Sequence, residues 1–195
     1  MKLRIISGSL KGKKIQSVPG TDTRPTSNRV REAIFNILSN SVSGVHVLDL
    51  FAGTGALGIE AMSRGAESTV FIDNNKNAVS VIEKNIDSCS LTKRVEIISC
   101  DVVYSLSFLK SARPEFKLVF MDPPYNKNLI KPALVNIHLS GSLKKNARII
   151  IEHSSSEKIP QDLQEFNIED EKKYGKTKVS FLIYRQKSEL DKQNF

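Results

Sequence analysis

The sequence contains no tryptophan, only two cysteines and no long uninterrupted apolar run. Cys89 and Cys100 form no CxxC pair and have no histidine at a metal-ligand spacing, which argues against a zinc cluster and a disulfide scaffold. No stretch approaches the roughly 20 apolar residues of a transmembrane helix, and residues 1–8 lack the apolar segment of a signal peptide. We therefore expect a soluble, cytoplasmic protein with no membrane partner and no bound metal.

Acidic residues are scarce in the first 31 positions. This segment holds eight lysines and arginines against one aspartate, so it carries +7 of the total formal charge of +8. A basic segment on a near-neutral body favours a polyanionic partner, because phosphate neutralisation supplies most sequence-independent affinity for nucleic acid. A merely solubilising segment is the alternative. The candidate nucleic-acid-binding residues are Lys11, Lys13, Lys14, Arg24, Arg29 and Arg31.

The length of 195 residues fits one principal domain, for which we predict residues 41–187, with an extension over 1–40 and a polar tail over 188–195. Within the extension, Lys2–Ile6 and Lys13–Ser17 flank a glycine-containing turn and predict a β-hairpin outside the main domain. Apolar residues at helical spacing from Val30 to Leu38 then predict an amphipathic helix, with Arg29 and Arg31 on its polar face.

From Val45 onward, short apolar runs alternate with helical segments, which is typical of an α/β fold with a mainly parallel sheet. A final pair of strands around Tyr174-Gly175 predicts an antiparallel hairpin that completes the sheet. The predicted strands are Val45–Leu50, Val70–Ile72, Val95–Ile98, Leu118–Met121, Ile149–Ile151, Phe166–Lys173 and Lys176–Arg185, and the predicted helices are Leu57–Ser63, Lys76–Ser88, Val102–Lys110 and Leu129–His138.

Glycines follow the first strand of this pattern. Gly53, Gly55 and Gly58 allow a sharp turn and a close approach of the backbone to a ligand at the carboxyl edge of the sheet. They also satisfy the GxGxxG pattern of dinucleotide-binding enzymes, which keeps an NAD-dependent hydride-transfer enzyme among the alternatives. Against that alternative, Asp49 precedes the glycines as a carboxylate suited to a ligand ammonium group, and no second mononucleotide-binding half follows.

The next two strands also end in carboxylates. Asp73 can accept the hydroxyl protons of an unphosphorylated ribose, and Asp101 can accept from an adenine amine, although strand-end aspartates also cap helices. The glycine turn with these aspartates resembles the class I S-adenosylmethionine-dependent methyltransferases. The resemblance implies a Rossmann-like, seven-stranded sheet, S-adenosylmethionine as cofactor, and cofactor-binding residues Asp49, Phe51, Ala52, Gly53, Thr54, Gly55, Asp73, Asn74 and Asp101.

The fourth strand is followed by Asp122-Pro123-Pro124-Tyr125. The prolines restrict the backbone, so a carboxylate, a carbonyl and an aromatic ring are held at one place. The Asp122 carboxylate and the Pro123 carbonyl can accept hydrogen bonds from both N–H groups of a base amine and direct its lone pair toward an incoming methyl group. Tyr125 can stack on the base. This motif is similar to that of amino-methyltransferases acting on adenine, cytosine or guanine, which makes these four residues the predicted catalytic group.

The segment Arg24–Asn36 (RPTSNRVREAIFN), the following DLFAGTGALGIEA and the Tyr174-Gly175 turn closely resemble the RsmD family. That resemblance implies methylation of the exocyclic N2 of a guanine in 16S ribosomal RNA of the bacterial small subunit. Separately, we expect the enzyme to be a monomer. Ser27-Asn28 departs from the more usual Thr-Asp of the family. A methyltransferase acting on adenine N6 or cytosine N4 of DNA or another RNA is the first alternative, and a non-catalytic RNA-binding domain is the second.

Overall fold

The computed structural model describes residues 3–19, 28–110 and 114–185. The described residues form four α-helices and seven strands, in the mixed α/β arrangement that the sequence predicts. In chain order they are α1 (Asn28–Leu38), β1 (His46–Leu50), α2 (Ala56–Ser63), β2 (Ser68–Asp73), α3 (Lys76–Ser88), β3 (Val95–Ser99), β4 (Phe116–Met121), α4 (Ile130–Leu139), β5 (Leu143–Ser154), β6 (Phe166–Tyr174) and β7 (Thr177–Tyr184).

The seven strands form one sheet in the order β3-β2-β1-β4-β5-β7-β6. The first five in space are parallel, and β7 runs antiparallel to both β5 and β6. The predicted mainly parallel, seven-stranded sheet with an antiparallel carboxy-terminal hairpin is therefore confirmed. The inserted antiparallel strand departs from the 3-2-1-4-5-6 order typical of dinucleotide-binding sheets.

Both faces of the sheet are covered, because alternate residues of the strands point to opposite sides. One face packs against α1, α2 and α3, with Phe35 of α1 contacting Phe120 of β4 at a ring separation of 5.6 Å. The other face packs against α4 and the segment after β3. All eight residues of α2 are buried, so this helix lies inside the protein directly behind the glycine turn.

The predicted helix Val102–Lys110 is wrong. Apart from a short 3-10 turn at Ser107–Leu109, this segment is non-helical, although Val102, Leu106 and Leu109 are buried. The spacing of these three residues imitates a helical stripe, but the Asp101 carboxylate accepts from the Val103 amide at 3.0 Å and so stabilises a local turn. Two consecutive valines also lower the helix propensity of the segment.

The amino-terminal residues 3–17 pair as predicted but do not lie outside the main domain. Arg4 and Lys14 form an antiparallel bridge, and the Ile5 amide donates to the Lys13 carbonyl at 2.9 Å. Three side chains of this arm are buried in the same core as α1, α2 and α3, namely those of Leu3, Ile5 and Ile15. The prediction that this hairpin lies outside the main domain is therefore wrong, because the apolar side chains of the arm complete the core over α2.

Candidate active site

Three strand ends lie side by side at the carboxyl edge of the sheet. Leu50 of β1 is in register with Ile72 of β2 and with Met121 of β4. Asp73 and Asp122, which come next in their strands, therefore flank the turn that follows β1. This edge, next to the point where the strand order reverses between β1 and β4, is where open α/β sheets bind ligands.

The turn after β1 has an unusual backbone. Phe51, Gly53 and Gly55 have φ angles of 57°, 56° and 74°, and the Gly55 amide donates to the Ala52 carbonyl at 2.7 Å. A left-handed conformation is strained for phenylalanine, and such strain is concentrated at functional sites. A methyl group added at Gly53 would meet only the Phe51 carbonyl oxygen, at 3.9 Å, so the backbone there is open to a ligand.

Asp73 holds this turn in place. Its Oδ2 accepts from the Gly53 amide and its Oδ1 accepts from the Asn75 amide, both at 2.8 Å. The carboxylate is only half-buried, and each oxygen retains a second lone pair. Asp73 can therefore support the turn and still accept hydroxyl protons from a ligand.

Asp49 lies beneath the turn, with 2% of its surface exposed. Its Oδ2 accepts from the Gly58 amide in the first turns of α2 at 2.9 Å. Burial raises the pKa of Asp49 to about 8, the Gly58 hydrogen bond opposes this rise, and the nearby Asp73 charge adds to it. The structure thus gives Asp49 a bracing contact with α2, and its contact with a ligand ammonium group stays a prediction.

Gly58 is required by packing as well as by that hydrogen bond. A methyl group added there would lie 2.3 Å from the Phe71 ring of β2. The third glycine of the pattern therefore allows α2 to approach the sheet closely, which is a structural role rather than contact with a ligand.

Asn74 and Asp101 join the ends of β2 and β3. The Asn74 side-chain amide donates to Asp101 Oδ2 at 3.0 Å. Both side chains are accessible to solvent, so they form a polar rim beside the Asp73 carboxylate. Their contact with an adenine or ribose stays a prediction.

Asn85 of α3 is a residue that the sequence pattern did not reveal. It is buried, and its amide nitrogen donates to the Thr54 carbonyl at 2.9 Å and to the Gln16 carbonyl at 3.1 Å. Its Oδ1 accepts from the Gln16 amide at 2.7 Å. Asn85 therefore links the amino-terminal arm to the turn after β1. A polar residue on the apolar stripe of a helix was the available signal.

The residues after β4 combine a fixed backbone with an anchored ring. The Asp122 amide donates to the Leu50 carbonyl at 3.4 Å, Pro123 is buried, and Pro124 is exposed. The Tyr125 hydroxyl donates to Glu152 Oε1 at 3.1 Å and lies 3.1 Å from Thr177 Oγ1.

Burial raises the pKa of Tyr125 above its usual range, and the Glu152 carboxylate raises it further, so the hydroxyl stays protonated. Glu152 and Thr177 were not predicted as site residues. Glu152 follows three isoleucines in β5, and a carboxylate at the end of a buried strand was its sequence signal. Thr177 is brought to the site only by the pairing of β5 with β7.

Most of the predicted RNA-binding residues are accessible to solvent. Lys11, Lys14 and Arg29 are exposed, and Lys13 is half-buried. Arg24 lies outside the described residues. The prediction for Arg31 is wrong, because its side chain has no exposed surface. Its Nη2 donates to the Arg4 carbonyl and to Asn28 Oδ1, and its Nε lies 3.9 Å from Glu60 Oε2.

Among the residues that the structure describes, no group of three or more histidines, cysteines, aspartates or glutamates is arranged to hold a metal ion. Within the same ranges, no helix has the length and apolar character that crossing a bilayer requires.

Comparison with known proteins places this arrangement in a family. The model of the family described as conserved hypothetical protein 95 matches residues 3–183. The chain belongs to this family, that of the RsmD methyltransferases. The match covers the arm, the turn after β1 and the Asp122–Tyr125 segment, which we call the DPPY segment. The predicted family membership is therefore confirmed.

Curated relatives and solved structures agree with this assignment. Ribosomal RNA small subunit methyltransferase D of Haemophilus influenzae is 37% identical over 155 residues, which are 77% of this chain and 78% of that protein. The corresponding Escherichia coli K12 protein is 28% identical over 96% of this chain and 92% of its own length. The solved candidate methyltransferase yhhF of Escherichia coli has a TM-score of 0.81 at 29% identity and covers 96% of this chain and 100% of its own.

The predicted fold is confirmed: the sheet is that of the S-adenosylmethionine-dependent methyltransferases. The chain is a methyltransferase.

Proposed function

We propose that this RsmD-family protein transfers a methyl group from S-adenosylmethionine to the exocyclic N2 amine of a guanine in 16S ribosomal RNA, acting on the small ribosomal subunit in the cytoplasm. One observation carries the proposal. The Asp122–Tyr125 segment lies at the end of β4, immediately beside the open turn after β1 and the Asp73 carboxylate.

The residues at the carboxyl edge fit the cofactor. The open backbone at Gly53 admits a ligand, Asp73 presents acceptors for ribose hydroxyls, and the rim of Asn74 and Asp101 offers polar partners for an adenine. Asp49 lies below the same turn as a carboxylate for an ammonium group. When bound, S-adenosylmethionine supplies an electrophilic methyl group on a sulfonium centre.

Asp122 and Pro123 prepare the target amine. A guanine N2 is a poor nucleophile because its lone pair is delocalised into the ring. The Asp122 carboxylate and the Pro123 carbonyl accept hydrogen bonds from its two N–H groups. These hydrogen bonds direct the nitrogen lone pair toward the cofactor side of the site. Alignment of this kind can remove roughly 7–11 kcal/mol of a reaction barrier.

Tyr125 holds the base in this orientation. Its hydroxyl is tied to Glu152 and Thr177, so the ring keeps one position instead of sampling several rotamers. Stacking of a base on such a ring contributes about 1–3 kcal/mol. A paired guanine cannot present N2 to Asp122 and its face to Tyr125 together, so the substrate is a loop guanine or one that is splayed out of its helix.

The choice of guanine N2 is supported by the RsmD likeness of residues 24–36 and by the relatives named small subunit methyltransferase D. The exposed basic residues of the arm and of α1, among them Lys11, Lys14 and Arg29, supply the contacts to phosphate. We propose that the enzyme acts as a monomer.

The test is to incubate small subunits from cells that lack the enzyme with labelled cofactor, digest the RNA and identify the methylated nucleoside by mass spectrometry. We expect the label in N2-methylguanosine. The Asp122→Ala variant is the matched control, because it should bind S-adenosylhomocysteine like the wild type and yet transfer no label. Label in a methyladenosine or methylcytidine would contradict the proposed substrate and leave the methyltransferase assignment intact.

A further inference from the structure

A second concave site lies away from the carboxyl edge, where α1 and α2 end. It is a cavity of about 530 Å³ whose walls include Ser7 and Gly8 of the arm, residues at the end of α1 and Arg64 after α2. We call it the Arg64 cavity. The described residues that line it are Ser7, Gly8, Phe35, Asn36, Ser39, Asn40, Ser43 and Arg64.

Among the described residues, the lining has one charged residue, which is the cation Arg64, and five small polar side chains. The Arg64 guanidinium is held rigidly: its Nε donates to Glu60 Oε1 at 2.8 Å, and its central carbon lies 4.7 Å from the centre of the Phe35 ring. Within residues 3–19, 28–110 and 114–185, no hydrogen bond uses the two terminal nitrogens of Arg64. Their donors are available to a ligand.

The charges behind the cavity do not balance. Glu60 is fully buried and lies next to two arginines, Arg64 and the fully buried Arg31, which leaves an excess of one positive charge. The Glu60 oxygens are also occupied by the Ile6 and Ser7 amides, at 2.7 and 3.0 Å.

Arg31 also has two donors, Nε and Nη1, that make no hydrogen bond among the described residues. A buried excess charge is costly unless a counter-charge lies nearby, and arginine does not relieve it by losing its proton. An anion bound by Arg64 would place a counter-charge next to the carboxylate that the two arginines share.

The position of the cavity identifies the class of anion. Gly8 of its wall accepts from the amide of Lys11, whose side chain is exposed in the same basic turn. The cavity lies at the far end of α2 from the active site, and an eight-residue helix spans about 12 Å, which is a few nucleotides of an RNA strand.

We propose that the Arg64 cavity binds a backbone phosphate of the RNA substrate, a few nucleotides from the methylated base. This inference rests on the proposed function, because it assumes that the substrate is RNA. It adds a phosphate site that is built from α1, α2 and the arm and that is separate from the cofactor turn and from the DPPY segment.

The test compares RNA binding by the full-length wild-type chain and by three variants at several salt concentrations. Arg64→Gln removes the cation, Asn40→Asp places a carboxylate on the exposed rim of the cavity, and Asn40→Ser is the matched neutral control. We expect the first two variants to bind a 16S RNA fragment about three- to tenfold more weakly, with the salt slope of Arg64→Gln reduced by roughly 0.7–0.9. Asn40→Ser should bind like the wild type, and S-adenosylhomocysteine affinity should be unchanged in all three.

Asn40→Asp keeps the test valid if Arg64→Gln fails to fold. If both charge variants keep the wild-type RNA affinity and salt slope, the proposed phosphate site is overturned. This holds even if inorganic phosphate raises the melting temperature of the wild type but not of Arg64→Gln, because the cavity would then bind a free anion only. The proposed function fails separately, and the phosphate site with it, if the wild type itself shows no salt-dependent binding to 16S RNA.

Discussion

The free energy of unfolding of the wild type should fall as the pH rises, and replacement of Asp49 by asparagine should abolish this fall. Asp49 is buried under the turn after β1, and burial raises its pKa to about 8, whereas an aspartate in an unfolded chain titrates near 4. Between about pH 4 and pH 8 the folded state therefore holds a proton that the unfolded state has lost. The free energy of unfolding must then fall as the pH rises through this window.

The slope is at most about 1.4 kcal/mol per pH unit, so the change between about pH 5 and pH 7.5 has an upper limit near 3 kcal/mol. For a protein of this size, each kcal/mol shifts the melting temperature by about 2–4 °C. Asparagine has the shape of the protonated aspartate and keeps an oxygen for the Gly58 amide, but it does not titrate. Asp49→Asn should match the wild type at or below about pH 4 and become more stable than it as the pH rises.

The assay is urea unfolding of both cofactor-free proteins at several pH values across this range. The difference between them isolates Asp49 from other titrating groups, such as His153, whose pKa is lowered by burial. Asp87→Asn removes an exposed carboxylate of the same type and should follow the wild type at each pH. Parallel stability curves for wild type and Asp49→Asn would show that Asp49 does not carry a raised pKa in the folded protein.

Three further substitutions test the active site. Asp73→Ala should weaken S-adenosylhomocysteine binding by about 1–3 kcal/mol in calorimetry, because the ribose loses its acceptor; unchanged affinity would remove Asp73 from the cofactor site. Tyr125→Phe keeps the ring but loses both hydroxyl contacts, so kcat should fall about tenfold while cofactor affinity stays constant, and wild-type turnover would show that the anchoring is irrelevant. Asn85→Asp replaces the side-chain amide that donates to the Gln16 and Thr54 carbonyls with a carboxylate oxygen, which can only accept. The free energy of unfolding in urea should therefore fall by about 1–3 kcal/mol, and cofactor affinity should fall as well. Full retention of both would contradict the proposed link between the arm and the turn after β1.

The two local errors of prediction have different causes. Val102, Leu106 and Leu109 are spaced like one face of a helix, yet the segment forms a turn in which the same side chains still reach the core. Periodicity reports which residues are buried, and more than one backbone path can bury them. Arg31 illustrates the opposite case: a charged residue next to an apolar stripe is normally exposed, and only a buried carboxylate from another helix allows it to lie inside.

The α/β class, the order of the main elements, the turn after β1 and the position of the Asp122–Tyr125 segment were predictable from the residues along the chain. These are local signals, since glycine, proline and strand-end aspartates constrain the backbone where they stand. Three features depended on the fold: the arm completes the core over α2, Tyr125 is anchored by Glu152 and Thr177, and Arg31 shares Glu60 with Arg64. Apart from the i,i+4 pair of Glu60 and Arg64, these contacts join residues 27 or more positions apart, and their partners are chosen by packing and by the need to compensate buried charge, which no spacing along the chain records.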